Sequence, residues 1–313
     1  MLNILFADRI ENWPLYQAPL QAALAETGVA ARLGLPDDLP PEQVDYIVYS
    51  PRGPVQDFTA YTRTRAVLSL WAGVERVVGN PTLTQPLCRM VDEGLSRGMV
   101  EWVVGHAMRY HLDIDFFQSH QDGVWRQAGH VPPLATERAI TILGIGALGA
   151  ACASALAGLG FNVTGWSRTA KTIDGVTCLH GADGLRTALG TAEILVTILP
   201  NTPETTDLLN AESLALLPRG AVILNPGRGN LIDDAALLAA LESGQIGAAT
   251  LDVFRTEPLP PEHPYWAHPK VTVTPHIAAE TRPTSAARVI AENIRRSEAG
   301  APLLNLVDRA RGY

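Results

Sequence analysis

Arg228 in "ILNPGRGNLID", Asp252 and Glu257 in "LDVFRTEPLP", and His276 in "VTVTPHIAAET" each stand at or just past the end of an apolar run. An arginine, a carboxylate and a histidine meeting at one nicotinamide suit reduction of a 2-keto acid. Hydride addition to a ketone leaves an alkoxide that must take a proton. Histidine, with an ordinary pKa of about 6.5, is the natural donor near neutral pH. A neighbouring carboxylate stabilises the imidazolium and fixes its tautomer. A guanidinium polarises the carbonyl and clamps the substrate carboxylate. Taken singly, each residue has an ordinary alternative. Arg228 reads equally as a surface turn residue, Glu257 as an exposed loop acid before Pro258, and His276 as a hydrogen-bonded strand-end histidine. The ordered set behind a phosphate loop favours the chemical reading.

That loop is "GIGALG": Gly144, Gly146 and Gly149, with Ala147 and Leu148 between the last two. It follows a buried-strand pattern and opens an Ala- and Leu-rich helix, which is the context the G-x-G-x-x-G spacing requires. Gly144 permits the tight turn, Gly146 admits a pyrophosphate to the backbone, and Gly149 lets helix and strand pack closely. The helix N-terminus supplies free N–H groups and partial positive charge. An NAD site carries an acid about twenty residues after the first glycine, on the ribose 2′-OH. Here Ser167 and Arg168 occupy that place, with Lys171 close by. An acid would repel a 2′-phosphate, whereas a hydroxyl and a guanidinium bind one through charge-assisted hydrogen bonds. The expected cofactor is NADPH/NADP, with NADH weaker.

These residues need a scaffold. "AITILG", "FNVTGW", "AEILVTIL", "GAVILNP", "GAATLDVF" and "VTVTP" read as strands alternating with helices, and catalytic groups belong at such strand ends. An earlier alternating series holds the strands "LNILFA", "VDYIVYS" and "AVLSLW", with the helix "LYQAPLQAALAETG" stopping at Gly28. Helical spacing predicts a long helix from about Met99, followed by the polar, Pro-containing connection "QDGVWRQAGHVPPL". The amphipathic "TSAARVIAENIRRSEAG" is expected to return to the first lobe. The fold class is α/β, with two doubly wound parallel-sheet domains. A dinucleotide-binding Rossmann domain covers 99–281, and a substrate-binding domain covers 1–98 plus 282–313.

Composition narrows the function classes. Hydrophobic residues make up 47% and charged residues 18%, ordinary for a globular protein. The net charge of −8 and the dispersed basic residues mark no nucleic-acid stripe, so no nucleic-acid partner is expected. No apolar stretch is long enough for a bilayer, and no basic n-region precedes the first apolar run, so neither a membrane nor a signal peptide is expected. Cys88, Cys152 and Cys178 have no metal-ligand spacing; no metal is expected, and their low, odd count suits a reducing cytoplasm. Cys152 reads as a small buried residue of a helix.

The segments "GIGALG", "LPNTPET", "NPGRG", "LDVFRTEPLP" and "TPHIAA" resemble the D-2-hydroxyacid dehydrogenases. "GWSRT", "LPNTPETTDLLN", "EPLPPEHPYWAHPKVTVTPHIAAETRP" and the tail "VDRARGY" are similar to a subgroup of that family that reduces glyoxylate and hydroxypyruvate. The resemblance spans nearly all of the second domain and the tail. It is weaker in the first lobe, where "LWAGVE" is the best match. It implies a flavodoxin-like substrate domain, an active-site cleft between the domains that closes by hinge motion, and a homodimer formed through the cofactor domain. It also implies NADPH-dependent reduction of short 2-keto acids such as glyoxylate and hydroxypyruvate to 2-hydroxy acids. In that scheme His276 is the acid/base, Glu257 its partner and Arg228 the substrate-orienting cation. Backbone N–H groups at Ala72, Gly73 and Val74 hold the substrate carboxylate. Pro200 and Asn201 border the cofactor ribose, and Asp252 meets the nicotinamide carboxamide. Trp125 reads equally as a contact to a neighbouring subunit's site or as a packed surface-loop tryptophan.

Two departures from the family pattern stand out. Pro226 and Gly227 replace small polar or alanine residues before Arg228, and proline removes an N–H and restricts Asn225. "VYSPRG" also differs; Arg52 is read as a plain surface arginine in preference to an extra carboxylate contact. Trp71 is read as a pocket wall in preference to first-lobe core, because it adjoins the carboxylate loop. The same site on a bulkier keto acid such as phenylpyruvate, or a cofactor-sensing regulatory protein that retains the motifs, are the alternative functions.

Overall fold

The computed structural model describes residues 1–126 and 129–309. Residues 310–313, the end of "VDRARGY", lie outside the described residues. The chain divides into two compact units. One is Met1–Leu95 together with the segment from Thr281; the other is Ser96–Glu280.

The first unit holds five parallel strands: β1 (Leu2–Ala7), β2 (Ala31–Gly34), β3 (Tyr46–Tyr49), β4 (Ala66–Ser69) and β5 (Leu87–Cys88). Their order is β2-β1-β3-β4-β5, the flavodoxin-like arrangement. β3 and β4 are buried at every position, as expected of strands covered on both faces. The helix Trp13–Glu26 ends before Gly28, which takes φ +72° where a side chain would be strained. On one face of the sheet, Ile4, Phe6, Tyr46 and Val48 meet Tyr16, Leu20, Ala23 and Leu24 of that helix. Ala286, Ala287, Ile290, Ala291 and Ile294, from the helix Pro283–Glu298, complete the same core. Their spacing of three to four residues makes one apolar stripe.

The second unit holds seven parallel strands: β6 (Ala139–Leu143), β7 (Asn162–Ser167), β8 (Thr177–His180), β9 (Ile194–Thr197), β10 (Ala221–Asn225), β11 (Ile246–Leu251) and β12 (Val271–Val273). The order is β12-β11-β10-β9-β6-β7-β8. It reverses at β6, which pairs β7 on one side and β9 on the other. Such a switch point opens a crevice at the strands' carboxyl ends. Cores on the two faces of this sheet centre on Leu195, Ile223 and Leu237, and on Ile140, Ile142 and Leu156. Cys152 is fully buried in the helix Ala147–Gly158, and burial pushes its thiol up to about 12, as suits a packing residue.

The long helix runs Glu93–His111, starting earlier than the apolar spacing predicts. Asp92 accepts the N–H groups of Gly94 and Leu95, at 3.2 and 3.3 Å, and so caps a first turn that glycines had thinned of pattern. β2, β5 and β8 were not anticipated; each has four residues or fewer. No described helix is long and apolar enough to cross a membrane.

Candidate active site

The phosphate loop sits at the switch point. Gly144, at φ +100°, follows β6, and a Cβ there would lie 2.3 Å from the Ile198 carbonyl oxygen beyond β9. A Cβ on Gly149 would lie 1.9 Å from the Gly144 oxygen. Glycine is therefore enforced at both positions by neighbouring backbone. Gly146 differs: nothing lies within 4 Å of its would-be Cβ. That open space, at the uncapped N-terminus of the helix Ala147–Gly158, fits a pyrophosphate approaching the backbone. Ala147 is exposed and Leu148 half-buried against the core.

β7 delivers the next group. Ser167 is buried, and its hydroxyl donates to the Thr169 carbonyl at 2.8 Å, so that proton is committed within its own turn. Arg168 is exposed. It lies near the loop after β9, where Glu204 is held below the usual carboxylate range. The Glu204 backbone N–H and the Thr202 hydroxyl contribute most to that shift, and Arg168 contributes last. Lys171 donates to the Ile145 carbonyl at 2.8 Å, which ties it to the phosphate loop with two donors left. Pro200 and Asn201 follow β9, half-buried. The Pro200 carbonyl accepts the Thr205 hydroxyl at 2.7 Å.

β10 ends on Asn225, which is 1% exposed. Its Oδ1 accepts the Thr197 hydroxyl (2.7 Å) and the Gly227 N–H (3.1 Å), and its Nδ2 donates to the Arg228 carbonyl (3.0 Å). This amide folds the turn that Pro226 interrupts by removing a backbone donor. A Cβ on Gly227 would lie 2.6 Å from the Thr197 oxygen, and one on Gly229 would lie 2.0 Å from the Phe254 carbonyl carbon. Arg228 stands between these two close approaches, half-buried, with one guanidinium nitrogen donating to the Gly227 carbonyl at 2.7 Å.

Glu257 and His276 come together. Glu257 Oε2 lies 2.8 Å from His276 Nδ1, and Glu257 Oε1 accepts the Phe254 N–H at 3.0 Å. Burial pushes the Glu257 carboxyl up. The hydrogen bonds from His276 and Phe254, with the His276 and Arg228 charges, outweigh it and hold the carboxyl below its ordinary range. Arg228 thus belongs to the same electrostatic cluster. The His276 side chain is half exposed, and among the described residues only its Nδ1 is hydrogen-bonded. Its backbone has φ +57°, a left-handed conformation that a non-glycine residue rarely takes.

Asp252 holds the segment in that conformation. Completely buried, it accepts the Thr274 hydroxyl (2.5 Å) and the Ile277 N–H (2.9 Å) on Oδ1, and the Ala278 N–H (2.9 Å) on Oδ2. Oδ2 keeps one lone pair, the capacity a carboxamide contact needs. Trp102, on the long helix, donates to Thr274 Oγ1 at 3.3 Å. Asn225, Thr197, Thr274 and Trp102 were missed in the sequence. The first three carry a signal there, as polar residues at or just past the ends of apolar strands.

The remaining expected residues lie in the first unit. Trp71 packs partly against its core, and the guanidinium groups of Arg52 and Arg76 lie over its ring. Arg52 is exposed, as a surface arginine should be, and its guanidinium carbon lies 5.2 Å from the Trp71 ring centroid; no local pattern announces this contact, because nineteen positions separate the pair. Among the described residues, the backbone N–H groups of Ala72, Gly73 and Val74 donate to no protein acceptor. Trp125 is 88% exposed in the chain alone.

Comparison with known proteins follows the same lines. Residues 106–278 match the family model of the D-isomer specific 2-hydroxyacid dehydrogenase NAD binding domain. A glyoxylate/hydroxypyruvate reductase A from Serratia proteamaculans is 39% identical over 321 aligned residues, covering 100% of both chains. A solved D-isomer specific 2-hydroxyacid dehydrogenase from Xanthobacter autotrophicus Py2, in complex with NADPH and MES, is 42% identical, with a TM-score of 0.91 and 99% of each chain covered. The NADPH-dependent glyoxylate/hydroxypyruvate reductase from Sinorhizobium meliloti, solved with NADP and sulfate, is 33% identical, with a TM-score of 0.87 and 100% of each chain covered.

Proposed function

Because the chain belongs to the D-isomer specific 2-hydroxyacid dehydrogenase family, we propose that it is an NADPH-dependent reductase of short 2-keto acids, glyoxylate and hydroxypyruvate among them. The observation that carries this reading is the 2.8 Å pair of Glu257 and His276, with Arg228 in the same cluster. NADPH, when bound, supplies the hydride. Gly144, Gly146 and the first turn from Ala147 to Gly149 hold its pyrophosphate. Arg168 and Lys171 meet its 2′-phosphate, with Ser167 shaping the turn. Pro200 and Asn201 border its ribose, and Asp252 takes the carboxamide on its spare Oδ2 lone pair. NADP-bound relatives support this assignment.

His276 gives the proton from Nε2, because Nδ1 is held by Glu257. Glu257 keeps the ring oriented. Arg228 polarises the carbonyl and offers a cation to the carboxylate. The unpaired N–H groups of Ala72, Gly73 and Val74 take the carboxylate, with Trp71 beside them. The test is steady-state NADPH and NADH oxidation with glyoxylate, hydroxypyruvate and phenylpyruvate. The reading requires turnover on the first two and a preference for NADPH; turnover on none of them sinks it.

The assembly we propose is a homodimer formed through the cofactor-binding unit. Leu112, Ile114, Val124, Trp125, Val131 and Leu134 are all exposed within one short stretch of it. Large apolar side chains gathered in this way mark an association surface. The free, mostly buried cysteines support a reducing, cytoplasmic setting.

A further inference from the structure

We propose that Arg52, Trp71 and Arg76 form an anion clamp that selects 2-keto acids carrying a second anionic group, a carboxylate or a phosphate. This rests on the reading that the chain reduces 2-keto acids, and it specifies which ones.

The three residues lie beyond the carboxyl ends of two paired strands. Arg52 follows β3 and Trp71 follows β4, and these strands run parallel side by side, where ligands of such sheets collect. The backbone there is fixed. The Gly53 N–H donates to the Ser50 carbonyl at 2.9 Å, and a Cβ on Gly53 would lie 2.0 Å from the Ala7 oxygen. The turn carrying Arg52 is therefore pressed against the end of β1. Trp71 donates its N–H to Ser69 Oγ at 3.0 Å, and its carbonyl accepts the Met90 N–H at 2.9 Å.

The guanidinium carbon of Arg52 lies 5.2 Å from the Trp71 ring centroid, and that of Arg76 lies 6.0 Å from it. An indole face attracts a cation, but two guanidinium groups on one indole also repel each other. Among the described residues, neither guanidinium has a hydrogen-bond or carboxylate partner. The next three residues add the unpaired N–H groups of Ala72, Gly73 and Val74. Buried or half-buried backbone donors are normally paired. The cluster is thus a set of donors and positive charges without a protein acceptor.

A monocarboxylate satisfies the backbone donors and leaves both arginines unmatched. An aryl keto acid would need the indole face that the guanidinium groups already cover. A second anionic group answers the arginines. The chemistry is unchanged: the carbonyl carbon gains a hydride, its oxygen gains a proton from His276, NADPH leaves as NADP, and the second anion is a spectator.

The experiment measures kcat/KM with NADPH for hydroxypyruvate against ketomalonate, oxaloacetate and 3-phosphohydroxypyruvate. The last three separate the carboxylate and phosphate arms. We expect at least one dianionic substrate to exceed hydroxypyruvate roughly tenfold or more, the scale of one charge-assisted hydrogen bond. Arg52→Gln and Arg76→Gln should each lower that ratio by a similar factor. A wild-type ratio at or below one for all three, or a ratio that both variants leave in place, overturns the clamp. Absence of turnover on every keto acid would instead overturn the reductase reading. In that case calorimetric titration with tartronate and glycolate still decides the clamp. Tighter tartronate binding that is lost in the double variant supports it, and equal binding of the two ligands overturns it.

Discussion

Glu257 Oε2 accepts a hydrogen bond from His276 Nδ1 at 2.8 Å, and the Glu257 carboxyl is held below its ordinary range even though burial alone would raise it. A depressed carboxyl contributes stability that is complete above the ordinary glutamate pKa, about 4.3, and is lost as pH falls through the lowered value. The pair should therefore persist across neutral pH and fail only in acid.

Glu257→Gln should cut kcat/KM roughly 10- to 100-fold, because the amide no longer supplies the carboxylate that orients the His276 ring through Nδ1. Steady-state kinetics of wild type and variant read this. A kcat/KM within about threefold of wild type would mean that another group orients His276.

His276→Ala should lower kcat by about a thousandfold, the usual scale of a lost general acid. NADPH affinity, measured by fluorescence titration, should change less than about threefold, since no expected cofactor contact uses that ring. Turnover within tenfold of wild type would place the proton donor elsewhere.

Arg168→Ala should reduce kcat/KM for NADPH by roughly tenfold or more while leaving NADH much less affected, as expected for losing a charge-assisted bond to a phosphate. Lys171→Ala should act in the same direction. The ratio of the two cofactors' kcat/KM values is the readout, and an unchanged ratio removes both residues from the 2′-phosphate site.

Asn225→Ala leaves the Thr197 hydroxyl, the Gly227 N–H and the Arg228 carbonyl without their partner. We expect a loss of about 3 kcal/mol and a Tm lower by roughly 6–12 °C for a unit of this size. Calorimetric melting tests it.

Val131→Glu combined with Leu134→Glu should convert a dimer to a monomer in multi-angle light scattering after size exclusion, since both side chains are more than 70% exposed in the chain alone. A dimer that survives this change associates through another surface.

The phosphate loop was legible because crowding leaves no substitute: a side chain on Gly144 or Gly149 would strike backbone, and such positions announce themselves by residue type. The interior strands were legible because burial on both faces makes them unbroken apolar runs. β8, "TCLH", was not, since it is a short edge strand, half-buried at its centre and exposed at both ends. Arg228, Glu257 and His276 could be chosen by chemistry, and the Glu257–His276 distance could not. Asp252 was read as a ligand group. Its part in pinning Ile277 and Ala278 appears only when the fold brings β11 beside β12. Arg52 is exposed, as its surface reading expects; its contact with the Trp71 ring is not legible, because no local pattern encodes a contact between turns after different strands.

The first unit is assembled from two stretches of chain, with the second unit inserted between them. A ribosome therefore emits the strands β1–β5 long before the helix Pro283–Glu298 that seals Ile4, Phe6 and Tyr46. The inserted unit is continuous and free to fold as it emerges. Throughout that interval the early sheet keeps a greasy flank uncovered, until synthesis reaches Ile294.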